Sequence, residues 1–337
     1  MKRRTLLAAT ALASLPSAAL RAQQTTAKRV GVLMLGTPDD EVPKARLRAF
    51  RQGLNVLGWT EDRNVRLDVR WASNQAADVE RPAAELAALR PDVILANGTP
   101  SVVALKKITA SMPLPSIPTP SIPIVCALVQ DPVGLGLVAS LARPGGNITG
   151  FTYVNPELIG KWRGLLLDVA PATRRMGMLF NPSINAQYHD FLRELAPVPN
   201  RPVEVAPMPV NTVDDLRAAL EALGSAGNGA AILPADPLSF SLSREAAALA
   251  RQYRLPAISI YRPFAADGGL MSYGPDSTEI FRRSASYVDR ILKGTPPAEL
   301  PVQQPDKFEF AINLGTARAL GLTVAPSLLA LADDVIE

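Results

Sequence analysis

Residues 131–150, DPVGLGLVASLARPGGNITG, follow the apolar run Ile122 to Val129 and place Gly134 and Gly136 in a short glycine-rich segment. Two folds compete for this stretch. In a dinucleotide-binding fold the glycines come directly off the first strand, and an acid about 20 residues on ends the second strand to hold the ribose. Here the strand is the fourth, Gln130 to Val133 intervene, and Glu157 lies beyond a Gly/Pro break. The alternative reads Asp131 as an N-cap and Pro132 as the first residue of a helix that Gly134, Gly136 and Ala139 let pack closely. It predicts no nucleotide cofactor.

Outward from this segment the chain alternates short apolar runs with amphipathic stretches, the grammar of βαβ units around a parallel sheet. Val30 to Leu35 reads as a first strand, and Leu47, Phe50, Leu54 and Leu57 recur at helical spacing until Gly58. Val65 to Trp71, Asp92 to Ala96 and Ile122 to Val129 complete the first set of strands, with a helix from Glu80 to Leu89. After Pro144-Gly145-Gly146-Asn147 the alternation restarts: strands at 176–180, 203–206, 230–233 and 257–260, helices at 156–169, 186–195, 213–223 and 244–253. A tail of mixed elements follows. It comprises a strand Leu270 to Tyr273, a helix from Ser277 to Leu292 opened by the capping-box pair Asp276 and Glu279, and an apolar run Phe308 to Leu314. Such a tail crosses back between two similar halves and hinges them. Residues 111–123, SMPLPSIPTPSIP, read as an extended proline-rich surface loop.

The first residues differ in kind. Lys2, Arg3 and Arg4 precede the apolar run Thr5 to Leu15, with small residues and Ala22 after it, the layout of a secretory signal over residues 1–22. The Arg3-Arg4 pair also fits a twin-arginine signal. The run is short of the roughly 20 residues that span a bilayer. Its removal takes four of the 35 basic residues and no acid, leaving 31 against 31 acidic ones. Without a net positive field or a basic run, nucleic acid is not an expected partner. Cys126 is the only cysteine, so no intramolecular disulfide forms, and a single histidine, His189, leaves at most one Cys and one His for zinc. No metal site, no Gly-x-Ser-x-Gly elbow and no phosphate loop is expected.

What remains is a set of turns at strand ends, where parallel-sheet proteins bind ligands. Asp131-Pro132 follows the fourth strand and Asp236-Pro237 follows another in the same way, so each aspartate reads either as a cap or as a ligand contact across a cleft. Asn97-Gly98-Thr99-Pro100-Ser101 is a strand-to-helix turn whose free N–H groups favour an anion such as a carboxylate. Thr37, after the first strand, and Asn181 to Asn185, after the sixth, lie at matching edges. An enzyme that uses carboxylates alone, with Asp131, Asp236 or Glu157 as acid and base, fits the same residues.

The stretches FRQGLNVLGWTEDRNV (50–65), ALVQDPVGLGLVASLARPGGNITG (127–150), LPADPLSF (233–240) and the whole run from Arg254 to Glu337 resemble the ABC transporter substrate-binding protein family, whose members are often labelled tryptophan/tyrosine transport components. The likeness covers nearly the whole chain after the leader. It implies a type I periplasmic-binding fold: α/β, two Rossmann-like domains with parallel sheets joined by a multi-crossover hinge. The lobes are expected over 27–148 with about 271–302, and over 149–270 with about 303–337. A small amino-acid-like ligand, permease and ATPase subunits as partners, a periplasmic location and a monomer are what the resemblance implies; a sensor-coupled role for the same fold stays open. The proline-rich stretch departs from the family, whose members run from the Gly-Thr-Pro turn through a short helix directly into the Ile-Pro-Ile-Val strand. On this reading Asn97, Gly98, Thr99 and Ser101 serve the ligand's carboxylate, Asp131 or Asp236 its ammonium, and Tyr153 and Tyr261 stack on its side chain.

Overall fold

Two parallel-stranded sheets, each covered by helices, face one another across a cleft. The computed structural model describes residues 27–73, 76–110, 121–154, 156–182, 185, 187–193, 195 and 202–337. The stretch 1–22, expected to be a secretory leader, and most of the proline-rich stretch lie outside the described residues.

The first sheet has the order β2-β1-β3-β4-β5, built from β1 (Lys28–Leu35), β2 (Val65–Ala72), β3 (Val93–Asn97), β4 (Ile124–Gln130) and β5 (Ile148–Val154), all parallel. Its central strands β3 and β4 are buried along their whole length, as sheets covered on both faces require. The second sheet runs β12-β11-β10-β9-β8-β6-β7. It contains β6 (Arg175–Phe180), β7 (Glu204–Pro209), β8 (Gly229–Leu233), β9 (Ala257–Ser259), β10 (Met271–Pro275), β11 (Phe308–Asn313) and β12 (Asp334–Ile336). One pair departs from the expected parallel order: β10 and β11 are antiparallel, because β11 enters the sheet from the opposite lobe.

Two expectations are corrected here. The strand β5 was absent from the sequence reading, which took the Gly/Pro break at 144–147 as the end of the first lobe. That break is only the turn into β5, which pairs with β4. The first sheet therefore ends with β5 at Val154 instead of at 148, and the second crossing follows β10, which ends at Pro275, instead of 270. A third crossing, at about 303–307, leads into β11. The three crossings touch: the Gln303 N–H donates to the Gly150 carbonyl (2.8 Å), Thr152 N–H to the Gln303 carbonyl (2.9 Å), and Asp276 N–H to the Lys307 carbonyl (3.3 Å).

The second correction concerns the opening glycines. Asp131 does cap a turn, its carboxylate accepting from the Gly134 N–H at 2.8 Å. No helix follows. Gly136 takes φ +61°, the left-handed conformation that ends helices, and the chain leaves after one turn. The helix at 277–292 is likewise capped by Asp276 alone, which accepts from Thr278 and Glu279 N–H while its own N–H goes to Lys307 and not to Glu279. That helix packs on Glu41–Val56 of the first lobe, so the returning tail completes the lobe begun some 230 residues earlier.

Gly150 sits where β5 meets β4 at φ +137°, and a Cβ there would overlap the Cys126 carbonyl. Gly150→Ala combines a forbidden backbone with overpacking between central strands. It is expected to cost at least about 2 kcal/mol, a melting point lowered by about 4 °C or more in calorimetry.

Candidate functional site

The cleft encloses a cavity of about 70 Å³ at the carboxyl ends of both sheets. From the first lobe, β3 ends at Asn97 and hands over to the helix Gly98–Thr109, whose first residues Gly98, Thr99 and Pro100 form one wall. Gln130 at the end of β4 and Tyr153 near the end of β5 form the next. From the second lobe come Asn185, Asp236, Phe240 and Tyr261. A second cavity of about 310 Å³ adjoins it, sharing Arg46, Tyr153, Phe240 and Tyr261.

The structure thus gathers Asn97, Gly98, Thr99, Tyr153, Asn185, Asp236 and Tyr261 around one space. Asn181 serves from behind, its N–H donating to Asp236 Oδ2 at 2.9 Å. Three expected residues lie elsewhere. Thr37 is exposed in the turn before the helix Glu41–Val56, where its N–H donates to Asp40. Ser101 is fully buried one turn into its helix, with no hydrogen-bond partner for its hydroxyl among the described residues. Asp131 has a half-buried carboxylate turned onto Gly134 and does not line the cavity, so of the two Asp-Pro aspartates only Asp236 is placed to meet a ligand.

Asp236 is 1% exposed, and its Oδ2 accepts from Asn181 N–H and from Asn185 Nδ2 at 2.6 Å. Facing it from the first lobe is Arg46, 6% exposed, a residue the sequence reading missed. Its Nε donates to Ser277 Oγ at 3.0 Å, and its guanidinium carbon lies 5.6 Å from the centre of the Phe240 ring across the cleft. It makes no ion pair among the described residues. Burial pushes its pKa down from the ordinary value. Arg46 was hidden among Lys44, Arg48 and Arg51. Its one detectable signal is that it lies four residues before Phe50 and eight before Leu54, in the helix's buried stripe.

Aromatic rings close the space. Tyr153 and Tyr261 stack with centroids 6.3 Å apart, and Phe240 meets Tyr261 edge-on at 5.1 Å. Burial raises the phenol pKa of both tyrosines, that of Tyr153 to about 12, so both remain neutral hydroxyls at physiological pH. Glu157 and His189 are exposed and line no part of the cavity, so the acids an enzymatic reading needs are not collected there.

The sequence profile of the ABC transporter substrate binding protein family matches residues 41–336. The chain belongs to this family. A curated relative, the tyrosine-binding protein of Clostridioides difficile (strain R20291), is 26% identical over 298 residues, covering 88% of this chain and 81% of the relative. Among solved structures, a conserved domain protein from Vibrio cholerae superposes with a TM-score of 0.80 at 25% identity, over 92% of this chain and 99% of that one. The ABC domain from Streptococcus pneumoniae in complex with L-Trp gives 0.80 at 23%, over 92% and 100%. The ligand-free, open structure of a Clostridium difficile substrate binding protein gives 0.68 at 23%, over 92% and 99%. The chain is thus a substrate-binding protein of type I fold, and the cavity described above lies between its lobes.

Proposed function

We propose that the protein captures a free aromatic amino acid, of the tyrosine or tryptophan class, in the periplasm and delivers it to an ABC permease and its ATPase. One observation carries this reading: a buried cation with no ion pair among the described residues, Arg46, and a buried carboxylate, Asp236, line the same cavity from opposite lobes. A zwitterion satisfies both. Its carboxylate would take the Arg46 fork and the N–H groups at Gly98 and Thr99, its ammonium would take Asp236, and Phe240, Tyr153 and Tyr261 would receive its ring. The larger adjoining cavity gives the ring room that the deep one lacks. The relatives named for tyrosine and bound to L-Trp support the class. The basic leader with its apolar run supports export.

Titration calorimetry on protein freed of carried ligand by unfolding and refolding tests the reading. L-Tyrosine or L-tryptophan should bind, and at about 100 times its Kd should stabilise the fold by about 2.7 kcal/mol. The N-acetyl derivative, which lacks the ammonium, and the methyl ester, which lacks the carboxylate, should each lose at least tenfold. Binding of neither amino acid, or equal binding of both blocked forms, overturns it.

A further inference from the structure

Two residues at the end of β4 take backbone conformations that L-amino acids seldom tolerate: Leu128 within the strand at φ +61° and Asp131 just after it at φ +34°. Around Leu128 the strand's pairing with β5 slips twice, between Cys126 and Val129 and again between Val129 and Gln130. This is a bulge, and its effect is readable in the side chains. Cys126 and Val129 face the cluster formed with Val102 and Leu105, whereas Ala127 and Leu128 both face the opposite side. In a regular strand Gln130 would share the face of Cys126, because side chains alternate with period two. The extra residue flips that parity and turns Gln130 into the cleft.

There its Nε2 donates to the Ala235 carbonyl at 2.7 Å, a buried bond from one lobe to the backbone of the other. Its own N–H is fixed by Thr99 Oγ1 at 3.2 Å, which ties it to the start of the ligand-facing helix. The same Ala235 carbonyl accepts from Tyr188 Oη at 3.0 Å, a bond within the second lobe. Strain of this kind persists where the surrounding structure over-determines it, commonly at functional sites.

We propose that Gln130 is a positioning residue, a latch whose hydrogen bond to Ala235 exists only when the lobes are shut and sets the balance between shut and open forms. Loss of the Nε2 donor leaves Ala235 its bond from Tyr188, so no acceptor is stranded there, and the interlobe contact forfeited is one neutral hydrogen bond, about fivefold.

The test uses the full mature chain without added amino acid, spin-labelled at Ala84→Cys and Ala218→Cys, exposed positions on helices of the two lobes, with interlabel distances read by double electron–electron resonance. Cys126 is buried and stays unlabelled. Gln130→Met, equal in length but without the donor, should lower the ratio of short-distance to long-distance forms about fivefold, and Gln130→Glu should do the same at neutral pH. Tyr188→Phe, which removes only the bond inside one lobe, should leave that ratio within twofold. An unchanged ratio in both Gln130 variants, or an equal fall in Tyr188→Phe, overturns the latch. Should Gln130→Met fail to fold, as read by circular dichroism, Gln130→Glu decides alone.

Discussion

Arg46→Gln is expected to lower the affinity for L-tyrosine or L-tryptophan by at least about 100-fold, roughly 2.7 kcal/mol, in titration calorimetry. The loss follows from removing a charged donor pair that, once a carboxylate is bound, works in a site screened from water. A second readout separates this role from a structural one. In the ligand-free protein Arg46 is buried against Ser277, the Phe240 face and the two cavity tyrosines, with no ion pair among the described residues. Neutralising it relieves a desolvation cost, so the ligand-free melting point should hold or rise while affinity collapses. Arg46→Lys keeps the charge but loses the planar fork, and should fall between the two. The variant's preference is equally telling: Arg46→Gln should no longer distinguish the free amino acid from its methyl ester. A fall in melting point together with intact binding would return Arg46 to a packing role.

Asp236→Asn is expected to cost about 30-fold or more in affinity and to erase the preference for the free amine over the N-acetyl derivative. Unlike Arg46, Asp236 is also part of the scaffold. It accepts from the Asn181 backbone and the Asn185 amide, so the amide replacement must rotate to offer its oxygen and leaves its own NH₂ facing the site. A melting point lower by about 1 to 2 kcal/mol equivalent should accompany the loss. Full affinity in Asp236→Asn would move the ammonium elsewhere in the cleft. The two variants act on opposite ends of one ligand, so their ester and acetyl preferences should change independently.

The alternation of strands and helices was legible because periodicity is local: Val30 to Leu35, the stripe Leu47, Phe50 and Leu54, and the strand Ala230 to Leu233 stand in the structure within a residue or two of where the pattern puts them. What was not legible depends on direction. Asp131-Pro132 and Asp236-Pro237 read alike, yet one carboxylate turns back on Gly134 and the other is drawn toward Asn181 and Asn185 from a neighbouring strand's end. No short-range pattern records that choice. Arg46 escaped because a basic residue on a basic helix looks solvated until the partner helix, whose Ser277 it contacts, returns from far along the chain. Gln130 escaped because a bulge reverses which face a residue occupies, and alternation counted from Ile122 gives the wrong one. The turn Asn97 to Thr99 was found because strand-to-helix junctions carry their chemistry in the backbone, which the sequence marks with Gly98.

The helix Ser277–Leu292 lies against Glu41–Val56, with Trp59 Nε1 donating to Asp289 and Arg46 to Ser277 across more than two hundred residues. The first lobe can therefore be completed only once the segment 277–292 has been made: during synthesis the segments before it wait, exposed and unfinished, for that distant piece. Contacts so distant along the chain slow acquisition of the native state. A polypeptide stopped after Pro275 would leave the inner flank of Glu41–Val56 bare.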